Sequence, residues 1–141
     1  MDIKTTIKHT LEKDGELLYK FEDYTNDKEV VLAAVGNSGK AIRFASNKLK
    51  EDEDVITKAI TQDEKAYYYL PKKKKEDIEL FAQLVRVNNN VLRVRNDFSR
   101  EDIFEIYKII AREFTYEEKE QLKQTLSDKQ RKMLYCAENT K

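Results

Sequence analysis

The chain has 141 residues and 38% of them are charged, yet 27 Lys and Arg cancel 27 Asp and Glu. A neutral chain of this length excludes a generally basic nucleic-acid or membrane-coating protein, and leaves room for one or two small domains. The single cysteine, Cys136, excludes a disulfide framework, and no apolar run approaches the roughly 18 residues of a membrane-spanning helix. Leu, Ile, Val and Phe make up about a quarter of the residues, above the roughly 20% below which disorder becomes the default. Residues 1–10, MDIKTTIKHT, lack the apolar centre of a secretory signal, so a cytoplasmic, reducing location is expected. Three glycines and one proline leave little material for hairpins or glycine-rich loops, which points to helices.

In chain order, Gly15-Glu-Leu-Leu-Tyr-Lys-Phe21 is the first recognisable piece of a repeating pattern. The pattern becomes clear from Asp27 onward. Segments opening at Asp27, Asp52 and Asp77 each carry a second acid two residues later. Apolar quartets then fall on Val30, Val31, Ala34, Val35; on Val55, Ile56, Ala59, Ile60; and on Leu80, Phe81, Leu84, Val85. That spacing is one stripe of a 3.6-residue helix, and acids in the first turn suit its positive end. Gly36-Asn-Ser-Gly39, Thr61-Gln-Asp-Glu64 and Arg86-Val-Asn-Asn-Asn90 read as tight turns. A shorter second helix follows in each repeat, through Ala41-Ile42, Ala66-Tyr67 and Val91-Leu92. The expected repeats cover residues 2–26, 27–51, 52–76 and 77–101. Two short helices cannot hide their apolar faces alone, so the repeats are expected to stack like a solenoid.

Beyond residue 101 the quartet continues at Ile106, Tyr107, Ile110 and Ala111. The capping signals Ser99-x-x-Asp102, Thr115-x-x-Glu118 and Ser127-x-x-Gln130 predict helices starting near 100, 116 and 128. The C-terminal cap is expected over residues 102–138. The predicted fold is thus a single all-α domain over residues 1–141, with about nine short helices.

Three stretches carry the resemblance to a known family. Asp27-Lys-Glu-Val-Val-Leu-Ala-Ala-Val35, Gly39-x-Ala-Ile-x-Phe-Ala-Ser46 and Leu49-Lys-x-Asp-x-Asp-Val55 resemble the helical repeat of domain-of-unknown-function family 4116. The likeness is close over about residues 27–60 and weaker to 100; Pro71 and four lysines replace the family's pattern in the repeat that opens at Asp52. The resemblance implies tandem helical repeats in intracellular, often microbial or viral, proteins. It implies no reaction, cofactor or catalytic residue.

No catalytic constellation stands out. Gly36-Asn-Ser-Gly-Lys40-Ala41 mimics the end of a phosphate-binding loop, but its glycines are three apart and Ala41 replaces the hydroxyl residue. One histidine, His9, and Cys136 do not make a metal set, and Cys136 beside Leu134 reads as a small buried hydrophobe. The acidic run Glu51-Asp-Glu-Asp54 reads as a helix start. The expectation is a protein that is not an enzyme and needs no cofactor.

The charges are not evenly spread. Residues 51–71 sum to −4 and residues 72–100 to +4. Lys72, Lys73, Lys74, Lys75, Arg86 and Arg95 form a basic band able to meet nucleic acid or an acidic partner. A second candidate set follows from the repeat. Arg43, Tyr68 and Arg93 occupy one register position, with Lys40 and Lys65 three residues earlier, so a polar and aromatic ladder is expected. Tyr and Arg are the side chains that interfaces favour as anchors. The leading expectation is a non-catalytic binding module that engages a protein partner through this ladder. The alternatives are a direct nucleic-acid binder, or a small viral or mobile-element inhibitor of a nucleic-acid-processing enzyme. No membrane partner is expected.

Overall fold

The computed structural model describes residues 2–95 and 97–140. Among them are ten α-helices, four 3₁₀ segments and no strand, so the fold is all-α. The chain divides into two compact units, Met1–Lys75 and Glu76–Lys141. No helix of the described residues is long and apolar enough to cross a membrane.

In the first unit, α1 (Ile3–Lys13), α2 (Lys28–Asn37) and α4 (Glu53–Gln62) are the long helices of successive repeats. Each starts on an aspartate that accepts from a backbone N–H within its first turn. Asp2 accepts from Thr5 at 2.7 Å, Asp27 from Val30 at 3.3 Å, and Asp52 from Asp54 at 2.9 Å. The opening acids are therefore N-caps rather than first-turn residues. They satisfy donors that a helix start leaves unpaired. The quartets of α2 and α4 are fully buried. α1 packs on α2, and α2 on α4.

Each long helix runs to the residue before a single extended one, Asp14, Ser38 or Asp63, where φ lies between −155° and −135°. One residue, not a four-residue turn, separates the long helix from the second element. The second element of each repeat is then a 3₁₀ segment: Gly15–Lys20, Gly39–Phe44 and Glu64–Tyr69. Buried positions three residues apart line this segment, at Gly15 and Leu18, at Gly39, Ile42 and Ala45, and at Tyr67 and Leu70, with Ala41 and Ala66 buried beside them. Three residues per turn is the 3₁₀ period, so this segment keeps one face inward by tightening. These segments also pack on one another in order. A third short turn closes each repeat: the 3₁₀ turn Glu22–Tyr24, then α3 (Asn47–Lys50) and α5 (Lys72–Lys75). These third turns account for three of the helical segments beyond the nine expected.

Neighbouring repeats are fastened by side chains at equivalent positions. The Asn37 amide accepts from Gly15 N–H at 2.8 Å and donates to the Glu12 carbonyl at 3.0 Å. One repeat later, Gln62 accepts from Gly39 N–H at 2.5 Å. Lys4 pairs with Asp27 at 3.0 Å, and Lys28 with Asp52 at 3.1 Å and Asp54 at 2.8 Å.

In the second unit, α6 (Ile78–Val87) starts on Asp77, which accepts from Leu80 N–H at 3.0 Å. Its buried stripe is Leu80, Phe81, Ala82, Leu84 and Val85. After α7 (Val91–Val94) come α8 (Arg100–Glu113), α9 (Tyr116–Lys123) and α10 (Asp128–Glu138). Their N-caps are Ser99, Thr115 and Ser127, as the capping signals predict. Ser127 and Gln130 close a reciprocal capping box. Glu118 instead gives its carboxylate to Arg86 at 2.7 Å. α8 packs on both α6 and α10. The inward residues of α8 are Ile106, Tyr107, Ile109 and Ile110, so Ile109 takes the place expected for Ala111, which is only half-buried. Cys136 is exposed, contrary to the expectation of burial. Leu134 and Ala137, three apart, face the core of α10, and Cys136 is turned away from that stripe.

Candidate functional site

The 3₁₀ segments of the first unit bring the expected ladder residues to one place. Arg43 lies in the middle repeat, on Gly39–Phe44. Its guanidinium pairs with Glu16 of the preceding repeat and also donates to the Lys40 carbonyl at 3.3 Å. Glu16 is itself held by the Ser38 hydroxyl at 2.6 Å. The same guanidinium lies 4.4 Å from the Phe44 ring centre and 5.6 Å from that of Tyr69 in the following repeat. Phe44 in turn sits 5.6 Å from Tyr19. One arginine thus links three repeats through an ion pair and two ring faces.

Around this core stand exposed aromatic side chains. Tyr19 is 51% exposed, Tyr68 56% and Tyr69 39%. Buried Leu18, Ile42 and Tyr67 set the structural register, so Tyr19, Arg43 and Tyr68 occupy the same position on consecutive segments. Sequence reasoning identified Arg43 and Tyr68 but missed Tyr19, Phe44, Tyr69 and Glu16. The first repeat is one residue longer before its 3₁₀ segment, because α1 has 11 residues where α2 and α4 have 10, and this shifts Tyr19 out of a strict 25-residue alignment. Glu16 carried no periodic signal at all. Lys40 is half-buried and Lys65 exposed, and neither forms an ion pair among the described residues. Arg93 is exposed on α7 in the second unit, so the face described here consists of first-unit residues alone.

The basic band is less uniform than its sequence. Lys72–Lys75 form a single helical turn after Pro71, with Lys74 and Lys75 N–H groups donating to the Pro71 carbonyl. The buried ring of Tyr67 holds this turn by donating its hydroxyl to the Lys75 carbonyl at 3.0 Å. Arg86 is engaged within its own unit. It meets Glu118 at 2.7 Å, Gln83 at 2.9 Å and the Glu113 carbonyl at 2.8 Å, over the Phe114 ring. Arg95 pairs with Asp97 at 3.0 Å and stacks on Phe98 at 3.9 Å.

Gly36 and Asn37 end α2, and the Gly39 N–H is already taken by Gln62, so the glycine that would close a phosphate loop has no amide to offer. Among the described residues no three His, Cys, Asp or Glu side chains converge on a metal-sized site.

No curated protein and no solved structure matches the chain. The family model described as Domain of unknown function (DUF4116) matches twice, over residues 6–50 and again over residues 27–75. Two overlapping matches along one chain are what tandem copies produce, and they fall on the repeats whose caps, clasps and stacking are described above. Residues 6–75 therefore belong to the Domain of unknown function (DUF4116) family.

Proposed function

We propose that the protein is a non-catalytic helical-repeat module that engages a protein partner through the aromatic face of its first unit. The observation that carries this is an arginine held in place by Glu16, Phe44 and Tyr69 and surrounded by exposed Tyr19, Tyr68 and Tyr69. Interfaces concentrate their energy in Tyr and Arg anchors, and a side chain already fixed loses little freedom on binding. Exposed tyrosines grouped on one face are unusual for a surface with no partner. We place the protein in a reducing, intracellular compartment, consistent with its lone exposed thiol.

The test is capture of partners from the native cell with the wild-type chain, a Tyr19→Ala/Tyr68→Ala variant, and a control changed at Lys132. A specific partner lost from the tyrosine variant and kept by the control supports the reading. A partner set identical across all three removes it.

A second reading rests on the four-lysine turn anchored by Tyr67. It assigns Lys72–Lys75 to a polyanion, either nucleic acid or an acidic surface. Its affinity must fall steeply with salt. A gel shift that is absent, or unchanged between low and high salt, counts against it.

A further inference from the structure

The second unit contains a cavity of about 500 Å³, walled by α6, α7, α8 and the start of α10. That volume lies within the range of small-molecule sites. Its inner wall is apolar. Leu92, Ile106 and Tyr107 are buried there, and Ile103 and Met133 are half-buried. Phe81 and Phe98 meet edge to face at 4.8 Å along the same wall.

The charged residues lining it are all basic: Arg95, Arg100 and Lys129. Arg95 is offset by Asp97, which is itself largely solvent-exposed. Arg100 and Lys129 are exposed and form no ion pair among the described residues. Ser127 and Gln130 also line the cavity, but they are occupied by the capping box of α10. The site therefore combines an apolar interior with two uncompensated cations at its border. An apolar ligand without charge would leave the cations unused, and a small hydrophilic anion would leave the interior wet. Only a molecule with both parts matches both features.

We propose that this cavity binds a free amphipathic anion, with its apolar chain against Leu92, Ile106 and Met133 and its carboxylate or phosphate head at Arg100 and Lys129. The proposal is independent of the tyrosine face, which belongs to the other unit. Charge-assisted contacts to the head are strong enough that losing them costs about tenfold or more in affinity.

Calorimetric titration of the full chain with decanoate, decyl phosphate, decanol and decylamine, each below its micelle concentration, tests it. Decanoate and decyl phosphate bind with one-to-one stoichiometry, decanol binds at least about tenfold more weakly, and decylamine does not bind. Arg100→Gln/Lys129→Gln weakens the anions about tenfold and leaves decanol unchanged. Met133→Trp fills the cavity and abolishes all binding. Arg100 and Lys129 are exposed and Met133 is half-buried, so circular dichroism should show the fold retained. If Met133→Trp disturbs the fold, the Gln variant alone decides. Any of three results overturns the proposal: no heat from decanoate, equal affinity for the acid and the amine, or anion affinity unchanged in the Gln variant. So does an acidic peptide that binds one-to-one and is not displaced by decanoate.

Discussion

Gly39 shows how narrowly a single position is set. A Cβ built there would lie 2.3 Å from the Ala59 carbonyl oxygen, and one at Gly15 would lie 2.0 Å from that of Ala34. Neither glycine has a positive φ, so the requirement is space and not backbone conformation. Backbone atoms give way poorly, so Gly39→Ala should destabilise the chain by about 3 kcal/mol, seen as a lower urea midpoint. The Gly-Asn-Ser-Gly string was readable as a boundary in the sequence. The reason for its glycines was not, because Ala59 lies twenty residues away. Tyr107 is the opposite case. Its hydroxyl is buried and makes no hydrogen bond among the described residues, and burial pushes its pKa up to about 12. A buried unpaired hydroxyl costs about 1–3 kcal/mol, so Tyr107→Phe should raise Tm, and a fall would show an overlooked partner.

At the scale of elements, helix starts were the most legible feature. Asp27, Asp52 and Asp77 stand at a strict 25-residue interval, and Ser99, Thr115 and Ser127 cap where their spacing predicts. A cap is a local contact between residues two or three apart, so sequence alone suffices to find it. Asp52→Ala should cost about 1 kcal/mol through the lost cap, and slightly more because Lys28 keeps only Asp54 of its two carboxylate partners. Thermal melts of Asp52→Ala and Asp52→Asn separate the two contributions, since Asn keeps the cap. The short second helix of each repeat was legible but its 3₁₀ type was not, because buried residues at i, i+1 and i+4 fit either geometry over two turns. The clasps were invisible, since Asn37 and Gln62 look like ordinary polar helix ends. Gln62→Leu should leave the Gly39 N–H unpaired at a cost of about 1–3 kcal/mol, with hydrogen exchange at Gly39 accelerated.

For the molecule as a whole, ion pairing between repeats makes stability depend on pH. Burial alone would raise the carboxyls of Asp27 and Asp52, but Lys4, Lys28 and backbone N–H groups outweigh it and hold both below their usual 3.8. A depressed carboxylate stabilises the fold above its unfolded pKa, and that stability is lost as pH falls through the folded value. Lys4 is raised above 10.5 chiefly by its hydrogen bond to Asp27, and Lys28 chiefly by Asp54 and then Asp52. Their contribution is present below 10.5 and disappears as pH rises through the higher folded value. Tyr107 acts in the same alkaline direction, between 10.0 and about 12. Tm should therefore be level near neutrality and fall on both sides, below 3.8 and above about 10. Asp27→Asn/Asp52→Asn should flatten the acid limb of that curve, measured by circular dichroism at low salt. The fastening devices also mark the division of the chain. Gly15 and Gly39 recur, but Glu64 stands at the next such position; Asn37 and Gln62 recur, but Val87 follows. The substitutions begin close to where the first unit ends at Lys75.

The sequence by itself determined the all-α class, the 25-residue period, the buried quartets and the helix starts. Each of these depends on neighbours within one or two turns, where spacing is nearly geometry. Tertiary structure decided which polar groups meet. Arg43 finds Glu16 and Tyr69 only when successive 3₁₀ segments lie side by side. Arg86 is taken by Glu118, thirty-two residues onward, once α9 has folded. Long flexible side chains can reach many partners, so their choice rests with packing rather than with the order of residues.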